Sequence, residues 1–529
     1  MTSPKIPRLI HQTWSSQNVP SSLGNPGSWQ QQNPTWTYCF WSDETLRAFM
    51  ADHFPDLLPL FDTYPKMVQK ADLARYCLLY RFGGVYADID TRCLTSLEPL
   101  AHADGIVLCE EPAEHQHHAH RRGMPRLVFN GTMASPAGHP FWKKVMDLCR
   151  LMHPNRDRDV LETTGPILLS AAVADWPKQE DFLLHSSHLF AEAHAGSTGS
   201  RFGQWSDIIF SEHHWKGSWH RPRKVSVLRR IVASARKHYH LHRNDNLHLD
   251  AIRQTIDRTA LQASCEPGSD LPTVAIVIPV RNGAATIHQN LQQILELDYP
   301  KDRLHLIYGE GDSTDATPDM IAALIAEHKA TFASMASIAT RRNSPRVDHN
   351  KRWKREYQRS RRLGLSAVRN DILYQALKLD TEWILWLDAD VIGLPRDLLQ
   401  TLMAAGSRIV TPNCVTTPGG ASYDLNAFLN IADPDDTEYY RHLHDGIQQP
   451  PADYWVRRHL DDLRFLDRVP LHAVGGTALL VHASVHRAGI NFPERPYRDL
   501  VETEAFGHLA RDLGIIPLGL PRVEVIHAS

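Results

Sequence analysis

The sequence predicts an α/β chain with two domains in tandem. Three observations predict it. Each half opens on a short apolar run of strand length, at residues 6–10 and 274–280. Each half later places an apolar strand directly before Asp-x-Asp, at Asp88/Asp90 and Asp388/Asp390. Between the halves, near residues 221–270, the composition changes to basic and then polar. A chain of 529 residues is also too long for one ordinary core. The expected domains are therefore 1–220 and 271–529, with 221–270 as a basic helical connector and linker.

The elements follow in order. Residues 6–14 read as a first strand running into a site loop, because apolar residues give way to His11, Gln12, Thr13 and Trp14. Over 70–80, Leu73, Cys77, Leu78 and Tyr80 recur at helical spacing. Gly83 and Gly84 end that helix, since glycine is the usual C-terminal stop. A short strand over 85–90 then carries the first acidic pair at its end. In the second half, 274–280 is continuously apolar, as a buried parallel strand requires. A helix over 286–297 and a strand over 304–308 follow, leading into Glu310, Gly311 and Asp312. Residues 383–387 form another buried strand and deliver the second pair. Alternation of helix and strand is the signature of an α/β layer structure.

Two carboxylates beyond a strand end suit a hard cation. Mg²⁺ and Mn²⁺ take oxygen ligands, and Mg²⁺ keeps phosphate oxygens beside one or two carboxylates. Residues i and i+2 of a strand project to one side. Ligands of α/β sheets bind beyond the carboxyl ends of the strands. The tripeptide alone is common; its position after apolar strands is what points to diphosphate chemistry.

The surroundings of the first pair resemble glycosyltransferase family 32. The resemblance is carried by residues 6–14, Lys70 to Tyr76, Gly83 to Asp90, Asn130 to Ala134 and 213–219. It implies that Asp72 and Arg75, three apart on one helix face, grip donor sugar hydroxyls and serve catalysis. It implies that Trp14 stacks on the nucleobase and that Asn130, Ser218 and Trp219 bind substrate. Asp88, Asp90 and His214 are the implied metal ligands. From residue 271 onward the chain resembles glycosyltransferase family 62, the family of yeast mannan-polymerase subunits. The carrying residues are Pro279 to Gly283, Gly311 to Asp315, Ala367 to Asn370, Trp386 to Val391, Val474 to Leu480, Glu502 to Gly507 and Glu524 to His527. This resemblance implies metal binding by Asp388, Asp390 and His527. It implies nucleoside contact by Asp312, donor contact by Arg369 and Asn370, and catalysis by Glu502. It also implies close backbone approach to the donor sugar at Gly475 and Gly476.

Together the resemblances imply two Rossmann-like, GT-A-type domains in a bifunctional retaining glycosyltransferase. The cofactor is Mn²⁺ or Mg²⁺, one per domain. The donor is a sugar nucleotide, GDP-mannose favoured and a UDP-hexose open for the first domain. The acceptor is a glycan or lipid-linked oligosaccharide. Rival readings are one catalytic domain with a glycan-binding partner, or a sugar-nucleotide pyrophosphorylase. The latter wants a Gly-rich, basic phosphate loop that neither opening strand shows.

Composition excludes other classes. A net charge of −3, and few aromatics among the basic residues, argue against nucleic acid as a partner. The basic run at 341–369 suits a solvated face, donor phosphates or an anionic lipid surface, and basic segments leave peripheral membrane contact open. Seven scattered cysteines without Cys-x-x-Cys argue against a disulfide framework or structural zinc. His115, His117, His118 and His120 lie in a polar loop and read as solvated surface. No run of about 18 apolar residues exists to span a bilayer, and residues 1–10 lack a signal core. The expected location is therefore the cytoplasm, with the inner face of the membrane left open as a place of contact.

Overall fold

The structure is a computed structural model that describes residues 5–20, 23, 26–191, 204–205, 207–215, 227–262, 271–340, 351 and 354–528. The chain divides into two compact units, Met1–Arg223 and Lys224–Ser529. Each is mixed α/β with a Rossmann-like sheet. The segment expected to be a connector is counted with the second unit from Lys224 onward. Its helix Val227–Arg243 packs on the helix Asp436–Arg441.

The strands of the first unit are β1 (Leu9–Thr13), β2 (Thr37–Trp41), β3 (Gly84–Ala87), β4 (Thr91–Cys93), β5 (Ile106–Cys109), β6 (Thr132–Ser135), β7 (Phe182–His185) and β8 (Ser211–His213). Six form one sheet in the order β2-β1-β3-β6-β5-β7, and β4 pairs with β8 apart from it. β1 runs parallel to β2 and β3, while β6 is antiparallel to β3 and β5. The helix before β3 is Met67–Phe82, longer than its apolar spacing predicts. Its C-cap Gly83 has φ +65°, and Gly84 has φ +89°. A Cβ on Gly83 would stand 2.6 Å from the Ala137 nitrogen, and one on Gly84 2.6 Å from the Leu9 carbonyl oxygen. Both glycines are needed to turn helix into central strand at this spacing.

The second unit contains β9 (Val274–Val280), β10 (Leu304–Glu310), β11 (Ser334–Ala339), β12 (Trp383–Leu387), β13 (Val391–Gly393), β14 (Ile409–Val415), β15 (Ala478–His482) and β16 (Leu518–His527). Their order is β11-β10-β9-β12-β15-β14-β16-β13, with the short strand Val469–Pro470 also on β16. The chain goes outward from β9 to β11, then returns to β12 on the other side of β9. That reversal makes a crevice at the carboxyl ends of β9 and β12. Both strands are buried on two faces, which is why they read as unbroken apolar runs. Alternation divides them between two cores. Val274, Ile276, Ile278 and Val280 join Trp383, Leu385 and Leu387 in one. Ala275 and Val277 join Ile384 and Trp386 in the other. The helix expected over 286–297 is Ile287–Leu295, and the strand expected over 304–308 extends to Glu310.

Cys39, Cys77, Cys93, Cys109, Cys149 and Cys414 are not joined in disulfides. Among the described residues, no helix is long and apolar enough to cross a membrane.

Candidate functional site

Neither acidic pair sits on its strand. β3 ends at Ala87 and β12 at Leu387. Both pairs belong to turns just beyond, closed by Thr91 N–H to Asp88 O at 3.1 Å and Val391 N–H to Asp388 O at 3.2 Å. The expectation of strand-like projection is therefore corrected: a tight turn, not strand alternation, presents the two carboxylates.

In the first unit, the helix Met67–Phe82 supplies Asp72 and Arg75, both buried. The Arg75 guanidinium lies 3.0 Å from Asp72 Oδ1 and 3.1 Å from Asp88 Oδ1. It also donates to the Asn130 carbonyl at 2.7 Å and lies over the Tyr86 ring at 4.6 Å. Asp72 accepts from Asn130 Nδ2 at 3.1 Å and Thr164 Oγ1 at 2.9 Å. Burial pushes the Asp72 carboxyl up to about 6, against the opposing pull of Arg75 and Thr164. Burial likewise raises Asp88, with Arg75 opposing. Tyr86 donates to Asp88 Oδ1 at 3.1 Å, and the Gln12 amide to the Asp88 carbonyl at 3.1 Å.

The histidine that faces the acidic turn is His213, not His214. β8 pairs antiparallel with β4, setting His213 opposite Thr91. Successive strand residues face opposite ways, so His213 turns in and is buried, while His214 is exposed. His213 Nε2 lies 3.1 Å from Asp90 Oδ1 and 3.9 Å from Asp88 Oδ2. The ligand atoms of Asp88, Asp90 and His213 all fall within 4.8 Å of one another. Two carboxylate oxygens and an imidazole nitrogen fit Mn²⁺, with phosphate oxygens completing the shell. His214 contributes only its backbone N–H, donated to Asp90 O at 3.1 Å.

Other sequence-derived residues fall less centrally. Trp14 is half-buried, its N–H held by the Trp41 carbonyl at 3.0 Å. Ser218 and Trp219 lie outside the described residues. Within the histidine run, His115 bonds Glu111 at 2.7 Å.

The second unit repeats this arrangement from other parts. The helix Arg355–Ala376 supplies Arg369. Its guanidinium lies 3.6 Å from Asp388 Oδ1 and 3.2 Å from Glu502 Oε1, and 5.5 Å from the centre of the Trp386 ring. Burial raises the Asp388 carboxyl, with Arg369 opposing and Asp390, Asp424 and Glu502 adding to the rise. His527 on β16 stands opposite Val391 on β13, and its Nε2 lies 3.0 Å from Asp390 Oδ1. Burial, the largest influence, would lower this imidazole, but Asp390, the Ala528 carbonyl and Asp388 together raise its pKa. The Tyr423 ring stacks on His527 at 3.9 Å. Ala528 N–H donates to Asp390 O at 2.8 Å. Asp388, Asp390 and His527 supply the same residue types as the first trio, but among the described residues only Asp88, Asp90 and His213 gather their ligand atoms within 4.8 Å of one another.

Glu502 is buried and begins the helix Glu502–Asp512 at φ +56°. That is a costly conformation for a residue with a side chain, of the kind that collects at functional sites. Two guanidiniums hold its carboxylate, Arg369 at 3.2 Å and Arg362 at 3.4 Å. Arg362 also binds Glu504 at 3.0 Å. These contacts place two members of the basic run inside the site. A Cβ on Gly476 would stand 2.3 Å from Arg369 Nη2, and one on Gly475 2.2 Å from Asp424 Oδ2. Both glycines make room for protein groups already present.

Asn370 departs from its expected donor contact. Its amide donates to the Phe492 carbonyl at 2.9 Å and Glu494 at 3.0 Å, and its oxygen accepts from Phe492 N–H at 3.2 Å. It anchors the segment at 492–494 instead. Asp312 (φ +60°) lies in the turn after β10. That turn is tied to the end of β9 by Thr314 N–H to Asn282 Oδ1 at 2.8 Å.

Asp424 and Thr164 were not legible as site residues, while Tyr86 and His213 lie in the segments that carry the resemblance but were given no site role of their own. Asp424 Oδ2 accepts from Gly476 N–H at 2.8 Å and from Thr477 Oγ1 at 2.9 Å. No motif surrounds it; only tertiary folding brings it to the glycines. His213 was legible in principle, by pairing the segment after the acidic turn with the closing one.

Comparison with known proteins agrees with this division. Residues 23–106 match the family described as glycosyltransferase sugar-binding region containing DXD motif. Residues 253–496 match the Anp1 family. The chain is 31% identical over 235 residues to inositol phosphoceramide mannosyltransferase 3 of Schizosaccharomyces pombe, covering 40% of this chain and 61% of that protein. It is 29% identical over 287 residues to mannan polymerase complex subunit mnn9 of the same yeast, covering 51% of this chain and 84% of that one. The chain thus spans less than two thirds of the first of these relatives. A mannosyltransferase of Pyrobaculum calidifontis, solved with GDP-Man and Mn²⁺, is 17% identical. It covers 57% of this chain and 68% of its own at a TM-score of 0.27, too slight a likeness to bear on function. The matched stretches omit Trp14, and they omit Asn130, His213, Glu502 and His527, whose placement in a site rests on geometry. Separate stretches of one polypeptide thus match two families: the stretch that holds Asp88 and Asp90 matches the glycosyltransferase sugar-binding region containing DXD motif, and the stretch that holds Asp388 and Asp390 matches Anp1.

Proposed function

We propose that both units are metal-dependent, retaining glycosyltransferases that move a hexose from a sugar nucleotide to a glycan or lipid-linked acceptor. The carrying observation is the repeated constellation of Asp-x-Asp turn, buried arginine and closing histidine. The names of the yeast relatives support mannose as the sugar, and GDP-mannose is the favoured donor of the second unit. The first unit takes GDP-mannose or a UDP-hexose.

Asp88, Asp90 and His213 would hold Mn²⁺ or Mg²⁺ in one unit, and Asp388, Asp390 and His527 in the other. The ion, when bound, neutralises charge on the diphosphate as the sugar leaves. Arg75 and Arg369 fix the first aspartate of each pair and keep its carboxylate turned toward the crevice. In the transfer, the bond from the anomeric carbon to the β-phosphate oxygen breaks. The acceptor hydroxyl oxygen bonds to that carbon on the same face, and its proton passes to the departing phosphate oxygen. Asp72 and Glu502, each bound to its arginine, line the sugar side.

Donor turnover by the full chain with Mn²⁺ tests this. Asp90→Ala and Asp390→Ala should each abolish one of two transfer products, by roughly 10²–10³-fold. If one substitution leaves all turnover intact, that unit is not catalytic, and a single transferase with a glycan-binding partner replaces this reading.

A further inference from the structure

The helix Val227–Arg243 has an apolar face that nothing in its own unit covers. Val227, Leu228, Ile231 and Tyr239 are 74, 71, 62 and 60% exposed. Among the described residues, six of the fourteen exposed large apolar side chains lie on this one helix. At ~100° per residue, Val227, Leu228, Ile231, Val232 and Tyr239 fall within an arc of about 140°. The buried Ala233 and His240 lie on the opposite side, where the helix meets its unit. That inner side is tied down by Arg236 to the Tyr440 carbonyl at 2.7 Å and by Lys237 to Asp436 at 2.8 Å. The outer arc also carries His238 and His242, their rings 4.6 Å apart.

Charge says what the outer face meets. From residue 213 to 244 the sequence has no Asp or Glu, in a chain whose net charge is −3. Arg229 and Arg230 flank the apolar arc and are exposed. Aliphatic side chains and a tyrosine on a helix that carries arginines and no carboxylate of its own have the composition of helices that lie in a lipid interface. Basic residues beside such a face are drawn to anionic headgroups.

We propose that the outer face of the helix Val227–Arg243 docks the chain on an anionic lipid surface. The docking rests on this helix alone. Its use to a lipid-linked acceptor rests on the proposed transferase activity. The geometry suits that use. His240 Nε2 lies 3.0 Å from Asp499 Oδ2, three residues before Glu502. The docked helix therefore abuts the loop that leads into the second site.

Flotation of the full chain with vesicles tests the proposal without any activity measurement. One set contains phosphatidylcholine alone, the other phosphatidylcholine with a third of phosphatidylserine. The chain should float with the anionic vesicles and release as salt is raised. The double substitution Leu228→Asp, Ile231→Asp should cut binding roughly tenfold or more and leave the unfolding midpoint unchanged. Equal flotation of parent and variant would overturn the proposal, as would no flotation with anionic vesicles at low salt. A variant with a clearly lowered midpoint would also overturn it, because the face would then be covered by protein.

Discussion

The two acidic sites agree part by part. The aromatic two residues before the first aspartate, Tyr86 or Trp386, lies under the arginine. The first aspartate N–H donates to the residue just before the neighbouring strand, Gly131 or Thr477. The residue three beyond it pairs with the histidine, Thr91 with His213 and Val391 with His527. The residue after the histidine donates to the second aspartate carbonyl. They differ in where the arginine finds its second carboxylate. Arg75 takes Asp72 from its own helix, three residues away. Arg369 takes Glu502 from an element 133 residues later in the chain. The arginine's second carboxylate is thus supplied locally in one site and by long-range folding in the other.

The largest effects should come from the arginines. Removing one partner of a buried ion pair leaves a stranded charge and costs about 3–5 kcal/mol. Arg75→Ala and Arg369→Ala should each lower the unfolding transition of their unit in calorimetry. Glu502→Ala should also release the strained start of its helix, seen as faster amide exchange at 498–502. Asp72→Ala has no strained backbone to release. Equal exchange in the two variants would break the distinction between local and long-range assembly.

A buried neutral histidine in each unit should come next. Burial lowers His11 to about 4 and His486 to about 4, from an ordinary value of 6.5. The unfolded chain then takes up the proton first as pH falls. The stability is fully present above pH 6.5 and is lost between 6.5 and 4, by about 3 kcal/mol per histidine. His11 uses both nitrogens, bonding the Gly83 carbonyl and accepting from Trp41 Nε1. His486 leaves Nε2 buried without a hydrogen bond. His11→Asn and His486→Asn should flatten the pH dependence of denaturant midpoints, each for its own unit. An unchanged slope would remove the histidine as its source.

The smallest effect concerns the closing histidines. His213→Ala and His527→Ala should weaken Mn²⁺ binding roughly 10–100-fold, measured by titrating the ion against turnover. His214→Ala should behave as the parent, since only its backbone faces the turn. A metal defect in His214→Ala would reverse the assignment.

Much of this was legible because it is local. Apolar runs at 274–280 and 383–387 specify strands covered on both faces, since only such strands can bury every residue. Asp72 and Arg75 share a helix face by spacing alone. Gly83 and Gly84 mark a turn that other residues enter only with strain. Even the repeated Asp-x-Asp needed no structure to be noticed. What the tertiary structure decided is everything that joins distant segments. It exchanged His214 for His213, because strand pairing sets which of two adjacent side chains faces in. It moved Asn370 from donor to scaffold, and it brought in Asp424, which no motif marks. It placed Glu502 on Arg369, and it left one face of the helix Val227–Arg243 uncovered by its own unit. Sequence spacing fixes direction along one helix or strand; register between elements and burial against them exist only once the chain is folded.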